Sequence, residues 1–364
     1  MIQYYAIIGI VLLCWIIFEN QKKETLRGGA EKGKMPLFVL LLIAAMTFVA
    51  GFRYRVGTDY IAYSRIYNNY LAAPLLYIFE TKEVGSFILA KIAGFIYHDY
   101  VLVFFLFALL ISYYNLRTIG RWANDICFGV LLYLFMGCFH VSFNAVRQCL
   151  AAAIVFAGHR HIVNQKIWKY LLVCVIAAMF HISALFMIVP YFIATRKINK
   201  IQLLLFLGIM VAGWFSYEGL IRIAALIRDN PEIRTIDYSS HSIHIFRVLV
   251  AWAPVVMMFV LKGKRKWEDI PEMDADKKFF FNMLLFNAAI VTATMNSAYL
   301  ARLFIYTNLY AAIGIPLVVE LIPKKNRKWL VILIIVLYLI YWYVEAQNLS
   351  HFRWIWNRPI WDRT

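Results

Sequence analysis

The sequence predicts an all-α, polytopic integral membrane protein with about eleven or twelve transmembrane helices plus one re-entrant or interfacial segment. Three observations carry that expectation. Of 364 residues, 63% are hydrophobic and only 16% charged, with a mean hydropathy of +0.69; soluble domains hold roughly 45–50% apolar and about 25% charged residues. The apolar share, about 229 residues, fills eleven or twelve helices at about 20 residues per crossing. The basic residues behind the net charge of +17 sit in short gaps between apolar runs, as membrane orientation demands, and form no nucleic-acid-binding stripe. A cytosolic, secreted or nuclear globular protein is excluded, and no nucleic-acid partner is expected.

Taken in order, the first run, 2–18, has no basic residue before it and no small-residue cleavage site after it, so it reads as a retained helix and not a signal peptide. Further spans fall near 35–51, 100–117, 126–142, 146–162, 201–217, 246–261, 279–296, 300–318 and 329–345. The pair 168–181 and 182–195 is short for two crossings and reads as one long helix or a partial hairpin broken near His181. Segment 77–97 is apolar yet carries Lys82, Glu83 and Lys91. It reads as interfacial or re-entrant, because charged backbone at membrane depth survives only against protein or a wet cavity. The whole of 1–364 reads as a single membrane-embedded domain with outer loops 52–76 and 217–245 and inner loop 262–278, each too short to fold alone. The five cysteines lie within apolar runs without metal spacing and read as core residues.

With the N-terminus outside, the inner gaps hold 23 of the 37 Lys and Arg residues, 16 of them Lys and 7 Arg; the outside holds 12 Arg and 2 Lys. Orientation needs only positive charge, which either residue supplies. The planar fork of arginine suits carboxylate or phosphate, so an outer face rich in arginine reads as a place where anions are held. Snorkelling to lipid phosphates or pairing with acidic neighbours is the plainer account of any single arginine.

The densest polar cluster is Gly51–Tyr63, with Arg53, Arg55 and Asp59. Asp59 can accept a proton from a hydroxyl or neutralise a neighbouring arginine. In Asn144-Ala-Val-Arg147-Gln148, Asn144 is a candidate N-cap. Arg147 then stands in a first helical turn, where the dipole disfavours a cation, so it needs an anion: a ligand phosphate, Asp59 or Glu83. Arg302 repeats that placement early in 300–318. His181 is a second candidate base or a hydrogen-bonded core residue. The spacing of His140, His181, His241 and His244 does not favour a metal site, and no cofactor is expected. Loop 217–245 reads as a cap or a plain connection, and the Trp- and Arg-rich tail 352–361 as an interfacial anchor.

In the order Arg53-Tyr-x-Val-Gly-Thr-Asp59-Tyr-x-x-Tyr63, Glu83-x-Gly85, Asn144-x-x-Arg147-Gln148, Phe180-His181-x-Ser183-Ala184 and Arg302 with Tyr306, the chain resembles the EpsG family of bacterial exopolysaccharide polymerases, relatives of the Wzy O-antigen polymerases. Val84 departs from that family's Glu-Pro-Gly form. The resemblance implies a GT-C-like glycosyltransferase of the bacterial plasma membrane, active at its outer face, with undecaprenyl-diphosphate-linked oligosaccharides as donor and acceptor. It implies a flippase and a chain-length regulator as partners. It also implies Arg53, Arg55, Glu83, Arg147, Gln148 and Arg302 as substrate-binding residues, with Asp59 or His181 as base. The competing readings are an O-antigen ligase-like enzyme, a lipid-linked oligosaccharide flippase or other transporter, and a membrane O-acyltransferase.

Overall fold

A computed structural model describes residues 2–25, 35–228, 245–267, 270, 273–346 and 351–359. Among these, the regular elements are all helical: α1 (Ile2–Thr25), α2 (Leu37–Gly51), α3 (Tyr60–Ala72), α4 (Val84–Ile96), α5 (Tyr100–Trp122), α6 (Ile126–Phe135), α7 (Cys138–Val141), α8 (Val146–Ala157), α9 (Arg160–Val163), α10 (Ile167–Ala178), α11 (Val189–Ile193) and α12 (Lys200–Arg228). They continue as α13 (Ile245–Lys262), α14 (Ala275–Ala293), α15 (Ala298–Ala301), α16 (Phe304–Thr307), α17 (Ala311–Val319) and α18 (Lys324–Glu345). Four stretches are long and apolar enough to cross a bilayer: Tyr100–Trp122, Ile245–Lys262, Tyr299–Val319 and Lys324–Glu345; seven shorter apolar helices accompany them. The chain is an all-α polytopic membrane protein.

Two helices organise the interior. α5 packs against α2, α4 and α8, and α14 against α12, α13 and α17. α14 is buried on nearly every face, as its Phe279-Phe-Phe-Asn-Met-Leu-Leu-Phe sequence requires. Asn282, set within that apolar run, is fully satisfied: Nδ2 donates to the carbonyls of Ala194 (3.0 Å) and Arg196 (2.9 Å), and Oδ1 accepts from Gln202 Nε2 (3.1 Å). An apolar helix can carry such a group only when it is paired in this way.

The structure departs from the sequence expectations in specific places. The helix expected over 126–142 stops at Phe135, because Gly137 takes φ +81° and turns the chain into α7. The 168–195 stretch is a hairpin: α10 ends at Ala178, and a 3₁₀ segment, Ile182–Ile188, packs back against it. Loop 52–76 contains a helix, α3, whose Tyr60, Tyr63, Tyr67 and Tyr70 share a buried face. Within 77–97, α4 has 13 residues, about 20 Å at 1.5 Å per residue, short of a hydrocarbon core of about 30 Å. The helix begun at Lys200 runs on through 217–228; residues 229–244 of the expected outer loop lie outside the described residues. The 300–318 helix is divided among α15, α16, a 3₁₀ turn and α17.

The tail also differs from a plain lipid anchor. Trp354 pairs with Arg53 in an antiparallel bridge, with Tyr54 N–H donating to Arg353 C=O and Ile355 N–H to Phe52 C=O, both at 2.8 Å. Arg358 then forms a buried ion pair with Asp99 at 2.7 Å. The loop between α2 and α3 is thus strapped by residues some 300 positions away.

Candidate functional site

The α2–α3 loop is built around Arg53, which is 2% exposed. Its guanidinium donates to the carbonyls of Ala50, Val56 (3.3 Å) and Phe143 (3.4 Å), and lies 4.9 Å from the Phe104 ring and 4.8 Å from the Phe143 ring. These contacts use the arginine as an internal pin that joins the loop to the segment before α8, away from any accessible surface. Beyond it, exposed Arg55 takes a left-handed φ of +51° and Gly57 one of +100°. A non-glycine residue at positive φ is costly and held only by its surroundings. A Cβ on Gly57 would meet Phe143 O at 2.6 Å, so the turn needs glycine for close approach as well as for φ.

That approach fixes Asp59. Thr58 N–H donates to Asn144 Oδ1 at 2.7 Å, and Thr58 Oγ1 donates to Asp59 Oδ1 at 3.2 Å. Asn144 therefore caps the loop; the residue at the N-cap of α8 is Ala145, with no side-chain cap bond. Arg147, in the first turn of α8, meets its anion as expected: it pairs with Glu83, the two side chains being 17% and 16% exposed. The Arg147 guanidinium also lies 4.9 Å above the Tyr63 ring, and its buried Nε has no hydrogen-bond partner among the described residues. Burial pushes the Tyr63 phenol above its ordinary range, against the pull of Arg147, so it stays neutral.

Glu83 precedes α4, and Gly85 explains where α4 sits. Gly85 N–H donates to Met179 C=O at 2.9 Å, and a Cβ there would lie 3.1 Å from the Met179 carbonyl. The start of α4 is thereby pressed onto the tip of the 168–195 hairpin, where His181 stands. His181 Nδ1 and Ser183 Oγ share a hydrogen bond of 2.6 Å, and Ser183 Oγ and Tyr306 OH one of 2.9 Å. Gln148 Nε2 donates to Ser183 Oγ (3.4 Å) and to Arg302 C=O (3.1 Å). A hydroxyl can accept two hydrogen bonds and donate one, so Ser183 is fully used. Arg302 follows the single turn α15, whose N-cap Ser297 accepts from Leu300 N–H at 3.3 Å. Its side chain is exposed, and it has no ion-pair or hydrogen-bond partner among the described residues.

Five separated segments therefore meet through named contacts: the 53–63 loop, the 83–85 turn, the start of α8, the hairpin tip and the 302–306 turn. Arg147 and Glu83 touch directly; Asp59 reaches them through Thr58 and Asn144; His181 reaches Arg302 through Ser183 and Gln148. Arg53 supports the loop from inside. Tyr63, Asn144, Ser183 and Tyr306 enter the site without having been singled out as site residues, although each lies within a motif that was. The spacing Tyr60-x-x-Tyr63-x-x-x-Tyr67-x-x-Tyr70 is the helical signal that would have found Tyr63.

No curated protein and no solved structure matches the chain. The EpsG family model matches residues 36–355, a stretch that contains all five segments, and the chain belongs to the EpsG family, the family of Wzy-type polysaccharide polymerases.

Proposed function

We propose that this chain polymerises lipid-linked oligosaccharide repeat units, transferring a glycan from polyprenyl diphosphate to a hydroxyl of another lipid-linked unit at the outer face of the plasma membrane. The observation that carries this reading is the meeting of Arg147, Glu83, Asp59, His181 and Arg302 from five separate segments. In the transfer, the bond between the anomeric carbon and the diphosphate oxygen breaks and a glycosidic bond to the acceptor oxygen forms. The acceptor proton passes to Asp59 or His181, and the diphosphate leaves on its lipid.

Each residue has a physical task in that scheme. Charge develops on the leaving diphosphate, and fixed cations aimed at it lower the barrier. Arg302 and Arg55 are exposed cations at the site, and Arg147 joins them when phosphate displaces Glu83. Until that exchange Glu83 neutralises Arg147, which keeps a cation in the first turn of a helix against its dipole. With Nδ1–H donating to Ser183, the His181 ring carries at Nε2 the lone pair a base needs, and Ser183, Tyr306 and Gln148 hold that tautomer. Arg53 supplies no charge to the substrate; it holds the loop that carries Asp59.

The test uses purified protein in nanodiscs with a lipid-linked oligosaccharide and no other protein or nucleotide. A size ladder with release of polyprenyl diphosphate is expected. Absence of any new glycosidic bond over prolonged incubation overturns the reading.

A further inference from the structure

Just beyond Glu83 the chain forms a groove that the transfer chemistry leaves unused. It lies between α4 and the 3₁₀ turn Leu75–Phe79. Its volume is about 870 Å³, and Leu75, Leu76, Phe79, Ile88, Ile92 and Phe95 make most of its wall, a size and lining that suit an apolar ligand. On the function proposed above, we infer that this groove holds the polyprenyl chain of the lipid-linked substrate, so that α4 and the turn before it select the lipid carrier.

The sequence builds the groove from two apolar surfaces held at a fixed spacing. Pro74 sets the entry to the 3₁₀ turn, and none of the turn's residues is buried; Phe79 is 86% exposed. On α4, Gly85, Phe87, Leu89, Ala90 and Ala93 face protein, while Ile88, Ile92, Phe95 and Ile96 form an exposed stripe at helical spacing. The Phe87 ring holds the parts together, with Tyr77 at 5.7 Å and Tyr70 at 5.6 Å. A Cβ on Gly94 would lie 2.8 Å from Leu71 Cδ2, so glycine lets α4 lie close on the end of α3. Lys91 is the one charged residue in the lining. Its Nζ donates to the carbonyls of Leu71 (2.9 Å) and Ala73, groups that a helix C-terminus leaves without intrahelical partners. The lysine thus serves the backbone.

Position and chemistry together favour a polyprenyl chain. Phe87 N–H donates to Glu83 C=O at 3.1 Å, so the groove starts one helical turn, about 5.4 Å, from the residue that pairs with Arg147. A lipid whose diphosphate replaces Glu83 on Arg147 therefore lays its first isoprene units over this turn. Depth agrees: Tyr60 stacks on Phe104 and Tyr67 on Phe107, so α3 runs beside the spanning helix α5. Phe107 lies about 10 Å along α5 from Tyr100, at the level of lipid chains. An ordinary phospholipid held by its phosphate at Arg147 would bring glycerol esters to the same place. Those polar groups would meet apolar side chains and a lysine already bonded to carbonyls, which is unfavourable. A polyprenyl chain is hydrocarbon from the diphosphate oxygen onward. Bilayer lipid is itself apolar, so the groove acts through close packing around methyl branches rather than through transfer from water.

Photo-crosslinking of the full-length protein in nanodiscs tests this, using undecaprenyl diphosphate with a diazirine in an isoprene unit near the diphosphate. Peptide mass spectrometry should place the adducts within 75–96, and excess unlabelled undecaprenyl diphosphate, but not phosphatidylglycerol, should suppress them. Ile88→Trp/Ile92→Trp fills the groove with apolar bulk. It should cut the adduct yield about tenfold and raise KM for the lipid-linked oligosaccharide with kcat kept, the pattern of lost uniform binding. Leu333→Trp/Leu337→Trp, at exposed apolar positions on α18, should change neither. If the filled variant fails to fold, Phe79→Ala/Phe95→Ala, which removes only exposed rings, carries the same expectation. Adducts outside 75–96, equal suppression by phosphatidylglycerol, or an undiminished yield in the filled groove would each overturn the groove. Adducts within 75–96 on a protein that forms no size ladder would support the groove and overturn the polymerase reading instead.

Discussion

Glu83 and Arg147, sixty-four positions apart in the chain, form an ion pair that is largely shielded from solvent and covered by the Tyr63 ring. A guanidinium whose buried Nε has no partner among the described residues, beside a carboxylate that an anion can displace, makes a pair already neutral before substrate arrives. Phosphate binding then exchanges one partner for another, which avoids burying an unpaired charge.

Arg147→Ala and Arg302→Ala should each lower turnover by about 10²–10³-fold, the usual cost of removing a donor aimed at developing charge, while insertion and folding are retained. Arg147→Lys should also fail, because an ammonium cannot reproduce the fork. Turnover of lipid-linked oligosaccharide by the purified variants, with size-exclusion profiles as the folding control, checks this.

Loss of Glu83 should act differently. Glu83→Gln leaves Arg147 without its resting anion, so the protein should become less stable in detergent while its affinity for polyprenyl diphosphate rises. Melting curves with and without added diphosphate lipid read both effects, and the ligand-induced stabilisation should be larger in the variant than in the wild type.

The two candidate bases separate by chemistry. Removal of the true base should cost about 10²–10⁴-fold in kcat, whereas the other residue should cost much less. Asp59→Asn and His181→Gln, each with a pH–rate profile, make the comparison; only loss of the base should also flatten the limb of the profile that it produces. Ser183→Ala and Tyr306→Phe, which act through the His181 ring, should lower kcat about tenfold if His181 is the base and leave it nearly unchanged if Asp59 is.

The tail strap gives a prediction about stability. Arg358→Ala leaves Asp99 buried without its cation, a change worth about 3 kcal/mol, and frees the strand that bridges Arg53. Thermal stability should fall, and turnover should fall with it because Asp59 depends on the same loop. Gly57→Ala should reproduce the loss of turnover, since the new Cβ would clash with Phe143 O at a φ of +100°. Wild-type turnover in both variants would remove the strap from the account.

The sequence made the membrane class, the runs of apolar helix and the motif residues legible, because burial in lipid imposes composition directly. It did not show that Glu83 is the partner of Arg147, since Glu83, Asp59 and a ligand phosphate were equally reasonable on charge alone. It placed Arg53 beside Arg55 and Asp59 as a substrate residue, whereas carbonyls of Ala50, Val56 and Phe143 claim its guanidinium. Asn144 looked like an N-cap, but its side chain serves Thr58, 86 positions away. These are contacts across long sequence separation, on which local pattern carries no information. Gly137 and the broken 298–319 stretch escaped notice because short apolar helices and long ones share one composition.

The central claim is that the Arg147–Arg302 region holds a diphosphate on its lipid. The most direct measurement is the affinity of the purified protein for undecaprenyl diphosphate and undecaprenyl monophosphate, for the wild type and for Arg302→Ala. The account predicts that the wild type prefers the diphosphate at least tenfold and that Arg302→Ala loses that preference while still binding the monophosphate. Equal affinity of the two lipids for the wild type, or an undiminished preference in Arg302→Ala, would contradict it.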